Sequence, residues 1–203
     1  MTEQTTTGRA NQKLRTHKAI VQAAAELSRT GREVTMPEIA KAALVSEATA
    51  YRYFPDLVSL LREAIAGQLP TPAEALAPVA DSVDPVERVA VATEFLLRHV
   101  LARQGVVRAM IASTVIRPAE AAARPGLRFG LIEHALAPLA GARDAALEQL
   151  YRDLAIVVSA EALFNLTDLS GLAPEDAVAS IVHTAATLTR AFVRDNVDGR
   201  QPD

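Results

Sequence analysis

What this chain can fold into is constrained most by the stretch Thr35–Phe54, TMPEIAKAALVSEATAYRYF. Thr35 is a helix N-cap, because its hydroxyl can accept one of the N–H groups that a first helical turn leaves unbonded. Pro37 falls in that first turn, where its missing N–H costs little. Ile39, Ala40 and Ala43 recur at helical spacing. Ser46 is a second N-cap a few residues later, so two short helices meet at a tight corner. Ala50 and Phe54 lie four apart on the second helix and, with Val45 from the corner, pack on the first. Glu47, Ala48, Thr49, Tyr51 and Arg52 then face outward. Such a face suits a DNA major groove: arginine pairs with guanine, threonine and alanine touch a thymine methyl, and tyrosine reaches phosphate. The stretch reads as a helix-turn-helix, with Thr35, Ser46 and Tyr51 on phosphate. Thr49 and Arg52 are the base readers, with Glu47 and Ala48 beside them.

The pattern T-x-x-x-I-A-x-x-A-x-V-S-x-x-T-x-Y-x-Y-F-P runs through Thr35, Ile39, Ala40, Ala43, Val45, Ser46, Thr49, Tyr51, Tyr53, Phe54 and Pro55. It resembles the DNA-binding domain of the tetracycline-repressor (TetR) family, and the likeness covers roughly Lys13 to Ala66. The rest of the chain is similar to the family only in being all-helical and of the right length. The resemblance implies a homodimeric regulator whose fourth helix relays the ligand state of a C-terminal domain to the reading heads. Three positions depart from the family pattern. Leu44 stands where glycine is usual at the corner, Ala50 where a larger apolar residue is common, and Leu57 where a lysine normally meets phosphate.

The net charge of −3 looks unfavourable for a DNA-binding protein, but its distribution is not. Residues 1–69 hold 9 Lys/Arg against 7 Asp/Glu, and residues 70–203 hold 12 against 17. A mildly basic head on an acidic body is the asymmetry expected when one end meets phosphate. Hydrophobic residues make up 50% of the chain but aromatics only 4%, which favours close-packed helices over a sheet. Cysteine is absent, so disulfides and thiolate metal sites are excluded. No leading apolar run resembles a signal peptide and no uncharged run of about 18 residues suggests a membrane span, so a cytoplasmic protein is expected.

The expected organisation is all-α, with about nine helices in two domains. Residues 1–12 read as a disordered tail flanked by basic residues; with Arg9, Lys13, Arg15 and Lys18 it is either an arm along DNA or an ordinary solvated end. Residues 13–69 form the three-helix head and its connecting helix. The first helix carries Ile20, Ala24 and Leu27 and stops at Gly31, and the connecting helix is capped by Asp56. Residues 70–84, with three prolines, read as a linker into an effector-binding and dimerisation domain over 70–203. There a helix from Asp84-Pro85 to about Arg103 is separated by Gly105 from one over 106–115. A further helical segment starts at Pro118 and is interrupted at Pro125-Gly126. The last two helices, 142–168 and 175–195, are the longest. The first is apolar nearly all round, so a partner subunit is its natural cover, and a twofold axis makes the pair a four-helix interface.

Enzymatic signatures are missing: the chain has no G-x-S-x-G, P-loop, G-x-G-x-x-G or H-E-x-x-H, and no cofactor or metal is called for. Candidates for an effector pocket are polar groups on apolar helices, His99, Arg108, Arg128, His134 and Asn165, with Met110, Phe129 and Phe164 as walls. For each of these, a surface or satisfied core residue is the plainer reading. A mostly apolar lining implies a hydrophobic or amphipathic small molecule. The expected partners are a double-stranded DNA operator, that effector and a second copy of the chain. A ligand-independent DNA-binding adaptor stays open as an alternative, as does a helical carrier or enzyme.

Overall fold

The computed structural model describes residues 3–66, 68–116, 127–140 and 145–198, and these form eleven α-helices with no strand among them. In chain order they are α1 (Glu3–Ser28), α2 (Met36–Ala42), α3 (Glu47–Tyr53), α4 (Leu57–Ala66), α5 (Pro72–Ala75), α6 (Pro85–Ala102), α7 (Gln104–Ile116), α8 (Leu127–Ala135), α9 (Ala145–Val157), α10 (Ala160–Phe164) and α11 (Pro174–Val193). They group into two compact units. The first joins the described residues before Pro70 to those from 102 to 116; the second joins 70–101 to those from Leu127 onward.

In the first unit α1 packs on α2 and α4, α2 on α3, and α4 on α7. Ile20, Ala24, Ile39, Ala40, Ala50, Phe54, Leu60, Leu61, Val106 and Met110 are buried in one core. The chain leaves this unit after Leu69, and α7 returns to it with Val106 and Met110. Gly105, expected to separate two helices, lies inside α7 instead; the break is at Arg103. Its role is close approach: a β-carbon there would run into the Arg32 carbonyl.

One further expectation for this unit is corrected. The segment expected as a disordered tail is helical from Glu3, making α1 a 26-residue helix. Extending a nucleated helix costs far less than starting one, and no proline interrupts this stretch. The connecting helix does begin as expected, with the Asp56 carboxylate accepting from the Ser59 N–H at 2.8 Å.

The second unit is built from α5, α6 and α8–α11, with α8 on α5 and α9, and α11 on α9 and α10. The expected linker is folded: Thr71 caps α5 through a reciprocal bond with Glu74, and Ala75, Leu76 and Val79 are buried. Arg88 binds this segment down. Its buried guanidinium donates to the carbonyls of Val79, Ala80 and Ser82, and to those of His134 and Ala135 at the end of α8. The expected continuous helix over 142–168 is broken. Ser159 leaves helical geometry at φ −146° and ψ 154° and caps α10 by accepting from the Ala162 N–H. Its hydroxyl meanwhile donates to the Ile156 carbonyl that ends α9, at 2.8 Å. Residues 165–169 then form a π-helical turn before Gly171, whose φ of +68° makes the reversal into α11. Residues 118–126 and 142–144, where the sequence suggests further helix, lie outside the described residues.

Candidate nucleic-acid interface

The helix-turn-helix is fixed locally at each end. At the start of α2 the Glu38 N–H donates to the Thr35 hydroxyl, while the Glu38 carboxylate accepts from the Thr35 N–H at 3.0 Å and from its hydroxyl at 2.8 Å. These bonds hold the exposed Glu38 carboxyl below the ordinary carboxylate value; slight desolvation opposes them and Arg32 assists. At the other end of α2 the Leu44 N–H donates to the Lys41 carbonyl and the Val45 N–H to the Ala40 carbonyl. This pair of bonds is a Schellman closure, which demands a left-handed residue at its turn. Leu44 occupies that position with φ +57°. Glycine adopts this geometry freely, which explains why the corner favours it.

Ser46 then caps α3, accepting from the Thr49 N–H at 3.2 Å. Ala50 is fully buried and Phe54 nearly so, so α3 presents its opposite side to solvent. Glu47, Ala48, Tyr51 and Arg52 are exposed, and Thr49 is half-buried with its hydroxyl paired to that of Ser46 at 2.9 Å. The Arg52 guanidinium lies 5.7 Å from the centre of the Tyr53 ring, a stacking that limits its wandering without occupying its donors. From behind, His17 on α1 stacks on Phe54 with ring centres 5.0 Å apart, and its Nε2 lies 3.4 Å from a Glu63 carboxylate oxygen.

An open groove of about 680 Å³ runs between α1 and α3, lined by Gln12, Lys13, Thr16, Leu44, Val45, Thr49, Arg52 and Tyr53. Two lining side chains are basic and none is acidic, a surface suited to a phosphate strand. Lys18 is exposed but lines a different groove, with His17, Gln22 and Glu63. Five residues turn a helix by about 140° relative to Lys13, so the two lysines serve different sides of α1. Gln12 and Thr16 were not singled out by the sequence reading; their signal was the helical spacing that places them beside Lys13 once α1 is known to start early. Leu57 is half-buried on α4.

The pocket candidates are spread over both units. Met110 is buried in the core of the first. In the second, His99 stacks on Phe95, Phe164 is buried, and Asn165 is exposed. The His134 carbonyl accepts from Arg88 at 2.8 Å. Phe129 is 44% exposed, stacked against Tyr151 and covered by the Arg128 guanidinium 4.7 Å from its ring centre. Among the described residues no group of three or more His, Asp or Glu is placed to hold a metal ion, and no helix is long and apolar enough to cross a membrane.

Comparison with known proteins agrees with this geometry. Residues 19–64 match the family of bacterial regulatory proteins, tetR family. The fold is similar to the crystal structure of a TetR transcriptional regulator from Rhodococcus sp. RHA1, with a TM-score of 0.53 and 24% identity over 87% of this chain and 97% of that one. No curated protein matches the chain. The segment that holds the helix-turn-helix is thus similar to the DNA-binding part of the TetR family, and the all-helical fold is similar to that of a TetR regulator.

Proposed function

We propose that the protein is a ligand-responsive repressor that binds a pseudo-palindromic operator as a homodimer in the cytoplasm and is released by a small hydrophobic or amphipathic effector. The observation that carries the reading is the outward row Glu47, Ala48, Tyr51 and Arg52 on a helix anchored by buried Ala50 and Phe54. In this reading Thr49 and Arg52 contact bases, with Glu47 and Ala48 alongside, while Thr35, Ser46, Tyr51 and Lys18 hold phosphates. Two such helices enter successive major grooves about 34–36 Å apart, or a multiple of that. The dimer forms through α9–α11, where Ile156 and Leu169 are 73% and 81% exposed. The effector binds the second unit near His99, Phe129, His134, Phe164 and Asn165. It acts only by its differential affinity for the DNA-competent and released states.

The test is selection from a random-sequence duplex pool followed by titration at several salt concentrations, beside Arg52→Ala and Tyr51→Ala. The expected result is an enriched palindrome, with binding weakened by salt and by both substitutions. Arg52→Ala should lose about 1–3 kcal/mol of discrimination at one base pair, and Tyr51→Ala should weaken all sequences alike. Absence of enrichment at any salt would reject the reading.

A further inference from the structure

Leu44 carries two costs at once. Its φ of +57° crowds the β-carbon against the backbone carbonyl, which is unfavourable for any residue with a side chain. That side chain is also 92% exposed, so packing offsets neither the strain nor the apolar surface left in water. Glycine would remove both costs without disturbing the Schellman closure. A strained residue that contributes nothing to packing in the free protein directs attention to a complex.

Its position says what it meets there. Leu44 stands two residues ahead of the Ser46 cap, so its Cα lies within about 8 Å of the start of α3. Its side chain shares a groove wall with Thr49 and Arg52, and the basic members of that wall are Lys13 and Arg52. Of the groups on base edges in a major groove, the thymine C5-methyl is the one that an aliphatic side chain meets favourably. Resting on the reading of α3 as the recognition helix, we infer that Leu44 is a specificity-determining residue. It packs on a thymine methyl at the base pair flanking those read by the first turn of α3.

The experiment runs the random-duplex selection with the full chain, Leu44→Gly and Leu44→Asn, the last because asparagine tolerates the left-handed region. The wild type should enrich a palindrome with thymine at one flanking position in each half-site. Both variants should enrich the same central positions and become indifferent at that one. Replacing this thymine by uracil, which lacks only the methyl, should weaken the wild type about three- to tenfold and leave Leu44→Gly unchanged. Leu44→Gly should also melt at a higher temperature than the wild type, which establishes that the variant is folded. Identical selected sequences with identical uracil sensitivity would overturn the inference. So would a uniform loss of affinity at every sequence, which would place Leu44 on the sugar–phosphate backbone. A wild type that enriches nothing would instead reject the recognition-helix reading itself, and the inference with it.

Discussion

Arg88 is a residue whose removal should be felt across the second unit. Its side chain reaches five backbone carbonyls from two separate segments while being only 5% exposed. Arg88→Met keeps much of the volume but removes the guanidinium's donors from those carbonyls, of which that of Val79 keeps a partner in the Ser82 N–H. We expect a loss of about 3 kcal/mol in denaturant unfolding of the full chain, and only partial recovery with Arg88→Lys, whose compact ammonium cannot span the same fork. Glu38 makes a prediction about pH. Its carboxyl is held low in the folded protein, so its contribution is complete above the ordinary value of 4.5 and is lost as pH falls through the folded value. Glu74, lowered by the same kind of bond to Thr71, behaves alike in the second unit. Glu38→Gln should therefore flatten the acid limb of a melting-temperature profile below about pH 4.5, while an unchanged limb would mean the cap contributes nothing there. Residues of this local kind were legible in the sequence. Thr35, Ser46, Ala50 and Phe54 act within one or two turns of themselves, so their spacing alone states their roles.

At the scale of elements, legibility depended on whether a signal had one meaning or two. Glycine marks both a stop and a close approach, and Gly105 read as the first while serving as the second. Its substitution is decisive: Gly105→Ala should destabilise the first unit by about 1–3 kcal/mol through collision with the Arg32 carbonyl. Thermal unfolding followed by circular dichroism would register it, and an unchanged midpoint would show that α7 can slide away. Ser159 is a similar case. Inside LAIVVSAEALFNL it reads as one polar residue on a long helix, whereas packing makes it a cap between α9 and α10. The early start of α1 had no apolar stripe to announce it, since its first turns are polar. The proline-rich stretch 70–84 looked like linker because its anchor, Arg88, lies outside it in sequence.

For the whole molecule, the fold class followed from composition and periodicity, which do not depend on how helices are arranged. Assembly did not follow so directly, because a surface meant for another subunit and one meant for solvent differ in sequence only by degree. The dimer reading makes a definite prediction. Ile156→Glu should convert the protein to monomer in sedimentation or light scattering and lower operator affinity with it, since each half-site then binds alone. A variant that remains dimeric would move the interface elsewhere.

The return of α7 to the first unit also bears on how this protein is made and how it can be recombined. Val106 and Met110 complete a core whose other members all precede residue 66, so a ribosome must release the chain well past the recognition helix before the head can close. An exchange of the first 69 residues between relatives would seat Gly105, Val106 and Met110 against foreign side chains. Moving this helix-turn-helix into another chain thus calls for moving two separated stretches of gene together, and lineages that diversify by shuffling should carry them as a pair.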